Sequence, residues 1–344
     1  MTLRARTSRT RSLAAALVSV MVISMSACGL DSGDDAVIVY NAQHESLTRE
    51  LADAFTRETG IEVELRNGSD FDLGNQLVAE GDASRADVYL TENSPAISMV
   101  AREGLLAPVA DETVGQVPPE YRPSTGDWVG IAARSTVFVY NTTAVTEDEL
   151  PTSFSDLSSP RWAGRWGAAP AGADFQAIVS AALEMSGEQE TRRWLESLRR
   201  PDGGFSTYKG NKPVLAAVNN GEIDGGVIYH YYFFGDRAGT GESSQNVGQH
   251  YFRNGGPESF VSLSGGGVLA NAPHAEDAQR FLAFITSAAG QEIIRDSSFE
   301  YPVASGVGAN EDLVPLAELG APVVDPAGLN GPAVTDLLTS VGLA

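Results

Sequence analysis

The sequence predicts an α/β protein, a largely parallel sheet covered by helices, with enough chain for two lobes. Three observations carry this. Between Val37 and Glu92 the pattern runs strand, helix, strand, helix, strand. Later strands are again followed by helical segments, and 344 residues supply apolar core for two compact lobes of ordinary size.

The elements follow in order. VIVYNA (37–42) is β-branched and apolar, hence a strand, and SLTRELADAFTRETG (46–60) spaces Leu47, Leu51, Ala54 and Phe55 along one helical face before Gly60 stops it. IEVELR (61–66) alternates as a strand, LGNQLVAEG (73–81) is helical, and ADVYLTE (86–92) is a strand. TVFVYN (136–141) is a strand, EQETRRWLESLRR (188–200) a helix, NKPVLAAVNNG (211–221) a short helix ended by glycine, and GGVIY (225–229) a strand. AEDAQRFLAFITSAAGQEIIRD (275–296) reads as one long amphipathic region interrupted at Gly290. Ligands of such sheets bind beyond the carboxyl ends of the strands.

The N-terminus is different in kind. Arg4, Arg6, Arg9 and Arg11 precede the apolar LAAALVSVMVIS and then SMSACG, the layout of an export signal over residues 1–27. The apolar run is shorter than the ~20 residues a membrane span needs. Cys28, the single cysteine of the chain, directly follows the small residues, which resembles a bacterial lipoprotein signal and implies lipidation there. Residues 28–36, small, polar and acidic, form a flexible tether. The formal charge is −22, and loss of the four signal arginines takes it to −26, which makes nucleic acid a poor partner.

Three strand ends carry groups able to hold a hard cation: His44 in YNAQHES, Glu92 in VYLTEN, and the adjacent Tyr231 and Tyr232 in IYHYYFF. Taken singly each has an ordinary reading: the tyrosines pack in the core, His44 is hydrogen-bonded or solvated, and Glu92 is a surface or capping acid. Neighbouring tyrosines cannot face one site from a regular strand, so convergence requires the strand to end at Tyr229 and the chain to turn, with Gly235 available. His230 reads as a neighbour of the site. His250 and His274 have no spaced partner and read as surface loop or helix start.

The succession YNAQHES, amphipathic helix, ADVYLTEN, NKPVLAAVNNGE, GGVIYHYYFF and LSGGGVLANAP resembles the ferric-ion-binding proteins of bacterial ABC importers, from about Val37 to the C-terminus. The resemblance implies a two-lobe type II periplasmic-binding-protein fold with crossover hinge strands. Residues 37–135 and 265–312 would form the first lobe, and 136–264 with 313–344 the second. It implies Fe³⁺ as cargo, held by His44, Glu92, Tyr231 and Tyr232, with a synergistic anion such as phosphate or carbonate. The segment APAGADFQAIVS (169–180) stands where family members bind that anion. Gly172, Ala173 and Asn211 are its expected contacts, although Ala171 replaces a hydroxyl and Asp174 would repel an anion if it faced the site. The implied partners are an ABC permease with its ATPase, and the implied setting is extracytoplasmic, as a monomer held to the membrane by lipid. Two other readings follow from the same residues: this fold around a small organic solute such as a polyamine or thiamine-like molecule, or a secreted metal-dependent hydrolase. No H-E-x-x-H or G-x-S-x-G supports the enzyme, so none is expected.

Overall fold

The computed structural model describes residues 35–200 and 204–343. The signal, Cys28 and all but the last two residues of the tether lie outside the described residues. Among the described residues no helix is long and apolar enough to cross a membrane.

Ten strands are seen among the described residues: β1 (Val37–Asn41), β2 (Val63–Asn67), β3 (Val88–Leu90), β4 (Val129–Asn141), β5 (Trp166–Ala168), β6 (Ser206–Thr207), β7 (Gly225–Tyr229), β8 (Val247–His250), β9 (Val261–Val268) and β10 (Tyr301–Pro302). They join one sheet in the order β2-β1-β3-β9-β4-β7-β5-β6, with β8 and β10 also on β4. β2, β1 and β3 are mutually parallel, as are β7, β5 and β6, and the two trios are joined by the antiparallel pair β9 and β4. The 13-residue β4 changes neighbours along its length. Val129–Ser135 pair with β9, whereas Thr136–Tyr140 pair with β7.

Period-two alternation explains how both faces of the sheet are covered. In β1, Val37 and Val39 enter a core shared with Leu51 and Phe55 of helix Glu45–Thr59 and Phe281 of helix Ala275–Thr286, while Tyr40 faces Leu77 and Tyr89 on the other side. In β4, Val137 and Val139 pack on Val214 and Val218, while Phe138 meets Trp162. Burying a side chain of this size contributes roughly 1.5–3 kcal/mol, so these layers, not the short strands, hold the sheet together. The glycines of β9 permit close approach: a Cβ on Gly265 would lie 2.6 Å from Ile97 Cγ2 of helix Ser94–Arg102.

Three expectations change. The interruption in 275–296 falls at Ser287, which caps helix Ala288–Ser298 by accepting from the Gly290 N–H. Gly290 lies inside that helix, where a Cβ would collide with Phe284 O at 2.3 Å. Gly235 likewise does not form a turn, since the chain passes from β7 straight into helix His230–Ala238. His250 ends β8 and is not in a loop.

Candidate metal centre

The strand-end positions singled out in the sequence meet in space because each sits where a strand hands over to a helix. His44 is the N-cap of helix Glu45–Thr59, Glu92 and Asn93 precede Ser94–Arg102, and Gly172 caps Ala173–Ser186. Asn211 opens Asn211–Asn219, and Tyr231 and Tyr232 lie in the first turn of His230–Ala238. None of these five helices has a side-chain cap from its own N-cap residue. Their unsatisfied N–H groups and roughly half a positive charge each therefore favour anionic groups at these ends.

His44 Nδ1 is 3.0 Å from Glu92 Oε1, and the imidazole meets the Tyr231 ring edge-on at 5.2 Å between centroids. The Tyr231 and Tyr232 rings are 4.2 Å apart and tilted by 30°. A helix rotates successive side chains by far less than a strand, which is how neighbouring tyrosines share one site. Among the described residues, His44 Nε2, Tyr231 Oη and Glu300 Oε1 are enclosed yet lack a hydrogen-bond partner. No cluster of three or more His, Cys, Asp or Glu among the described residues is arranged to hold a metal, so any cation site here depends on the phenols. A cleft of about 670 Å³ opens above, lined by His44, Ser46, Lys212, Tyr231 and Tyr232.

Burial governs the protons. It pushes the phenols of Tyr231 and Tyr232 well above their ordinary value, reinforced by the nearby Asp174 carboxylate, and it holds the Glu92 carboxyl well above the usual range. Without a cation the two phenols keep their protons, and burial disfavours the charged form of Glu92. Burial lowers the His44 imidazole, leaving it a neutral base.

The expected anion contacts are otherwise engaged. The Gly172 N–H donates to Ala169 O at 2.9 Å. Asn211 Nδ2 donates to Asp174 Oδ2, Tyr232 Oη donates to the same oxygen at 3.2 Å, and Asn93 Nδ2 donates to Asp174 Oδ1 at 2.8 Å. Asp174 is buried and faces the site, with its own carboxylate at the start of the helix. No contact of Ala173 bears on the site.

His230 is buried and lies outside the cluster. Its Nδ1 accepts from the Ser135 N–H at 3.1 Å, so Nε2 carries the proton and donates to Phe299 O at 2.8 Å. His274 opens helix Ala275–Thr286, with Nδ1 3.0 Å from Asp87 Oδ2.

Sequence reasoning missed the polar frame. Asp70, pushed up to about 7 by burial, accepts from the backbone N–H of Glu92 at 2.8 Å and of Asn93 at 3.1 Å. Arg134 is fully buried against Glu300, with Nη2 3.0 Å from Oε2, and Nη1 donates to the Glu92 carbonyl. Asn93 had a visible signal in the TEN triplet; Arg134 and Glu300 had none.

Comparison with known proteins gives the family and the fold. Residues 84–326 match the family described as bacterial extracellular solute-binding protein. The chain is 53% identical over 330 residues, 96% of each protein, to the Fe(3+)-binding periplasmic protein of Serratia marcescens. It is 33% identical over 290 residues, 84% of this chain and 87% of the relative, to the major ferric iron-binding protein of Neisseria meningitidis serogroup B. Iron-bound HitA from Pseudomonas aeruginosa superposes with a TM-score of 0.84 at 39% identity, covering 90% of this chain and 99% of that one. The fold is thus the two-lobe binding-protein architecture that the sequence resemblance implies. The chain belongs to the bacterial extracellular solute-binding protein family, beside relatives that are ferric-iron-binding proteins.

Proposed function

We propose that this chain captures ferric iron outside the cytoplasm and delivers it to the permease of an ABC importer, with His44, Glu92, Tyr231 and Tyr232 as the ligands. The observation that carries the reading is the adjacent tyrosine pair at a helix N-terminus, in ring contact with His44, whose Nδ1 lies 3.0 Å from Glu92. A hard trivalent cation prefers anionic oxygen and displaces protons from phenol and carboxyl, as bound metals do for coordinating groups generally. The uncapped helix ends offset the negative charge that this creates.

Asp174 takes the place of the external anion in this proposal. Its carboxylate already sits among Asn93, Asn211 and Tyr232, so Gly172, Ala173 and Asn211 need no phosphate or carbonate. Binding closes residues 37–135 with 265–312 against 136–264 with 313–344 about β4 and β9, because ligands from both sides bind the ion more tightly when closed. Cys28 is the lipid anchor, the chain works as a monomer, and it catalyses no reaction; its relatives are binding proteins.

The test is competition against citrate. The wild-type chain retains iron in buffer stripped of phosphate and carbonate, and Asp174→Ala makes retention depend on adding either anion. Loss of iron from the wild-type chain in stripped buffer would refute the internal-anion assignment. Equal retention by His44→Ala and Glu92→Gln would refute the ligand set.

A further inference from the structure

We propose that Glu300 is a positioning residue for His44: its free oxygen accepts the Nε2–H of the imidazole and so fixes Nδ1 as the nitrogen that presents a lone pair to the cargo. This rests on the ferric reading above and adds to it a residue outside the ligand set. Glu300 is fully enclosed and uses its two oxygens unequally. Oε2 receives Arg134 Nε at 3.1 Å and Nη2 at 3.0 Å, with Gln43 Nε2 and Ser264 Oγ each at 3.4 Å. Oε1 has no hydrogen-bond partner among the described residues and points at His44 Nε2, 3.7 Å away, which also has none.

A carboxylate that served only as counter-ion to arginine would offer both oxygens to the guanidinium fork. Here Arg134 Nη1 is instead spent on the Glu92 carbonyl, leaving one carboxylate oxygen for the imidazole. The 3.7 Å gap is longer than a hydrogen bond, so the proposed contact requires the imidazole to move toward Oε1. Metal-binding histidines commonly give their other ring N–H to such a carboxylate, which sets tautomer and orientation.

The local backbone shows that the aim of Glu300 is built in. Phe299, just before it, is the one non-glycine residue at positive φ (58°) among the described residues. Its carbonyl is held by His230 Nε2–H, and His230 in turn accepts from Ser135, next to Arg134. The turn bearing Glu300 is therefore tied both to β4 and to the helix that carries the tyrosines.

Two measurements test this. In the metal-free wild-type protein, nitrogen-15 spectra of the histidine side chains, assigned with His44→Ala, should show His44 protonated at Nε2. A proton at Nδ1 with bare Nε2 overturns the proposal, and this reading needs no Glu300 variant to fold. Ferric affinity by chelator competition is then compared in wild type, Glu300→Gln, His44→Ala and the double variant. The glutamine turns its amide nitrogen away from Arg134 and toward His44, removing the acceptor. Glu300→Gln should weaken binding about 10–100-fold when His44 is present and change it by no more than roughly threefold in the His44→Ala background. Equal losses in both backgrounds overturn the positioning role alone. No loss on His44→Ala overturns the ligand assignment and this proposal with it.

Discussion

His230 stays neutral in the folded chain because both ring nitrogens are committed, one accepting from Ser135 and one donating to Phe299. Burial brings its pKa down to about 4 from the ordinary 6.5. A folded value below the unfolded one gives stability that is present above pH 6.5 and lost as pH falls through about 4. For the metal-free protein this amounts to at most about 3 kcal/mol. Urea unfolding at pH 7 and at pH 4.5 should therefore show a smaller acid loss in His230→Gln than in wild type. An identical loss in both would show that His230 is not the titrating group. Asp70 works in the opposite sense: pushed up to about 7, it favours the fold most when protonated, and its contribution fades as pH rises through that value. The comparison with His230→Gln separates the two.

At the scale of elements, the glycines of β9 decide how closely the helices before and after the site approach the sheet. Gly265→Val should destabilise the fold by about 1–3 kcal/mol, because the added Cβ alone would sit 2.6 Å from Ile97 and 3.1 Å from Thr91 Oγ1. A denaturation midpoint equal to wild type would show that the helix moves freely. The elements flanking the site were legible in the sequence because strand and helix periods differ and the handovers are abrupt, as at YNAQHES and GGVIYHYYFF. His44, Glu92, Tyr231 and Tyr232 stood out as polar groups at strand ends, but singly each had an ordinary reading, and only the resemblance to a known family implied that they act together. The length of β4 was not, because its first half, VGIAARS, has too little β-branching to announce a strand and depends on pairing with β9. Arg134 and Glu300 were hidden for a related reason. They are 166 residues apart, and only the pairing of β10 with β4 brings the arginine to the acid. Asp174 was read as repelling an anion if it faced the site; it does face it, and Asn93, Asn211 and Tyr232 all donate to its carboxyl oxygens, an arrangement that the spacing of the sequence could not announce.

For the whole molecule, the proposed ligand set would join iron capture to proton release and closure. Burial raises the pKa values of Tyr231 and Tyr232, so a bound cation must displace their protons, and it works against the same burial at the Glu92 carboxyl. Ferric affinity should therefore climb steeply with pH between 5 and 7, with protons released to a weak buffer on loading. Pairwise loss of both phenols should flatten that dependence. Small-angle scattering should report a smaller radius of gyration after loading, if β4 and β9 act as the hinge between the two parallel trios. The most direct test of the central claim is visible absorption during titration with ferric citrate. Phenolate bound to Fe³⁺ gives a charge-transfer band, which wild type should develop to saturation and Tyr231→Phe/Tyr232→Phe should lack. A colourless wild-type protein, or a double variant that binds iron as well as wild type, would contradict the account.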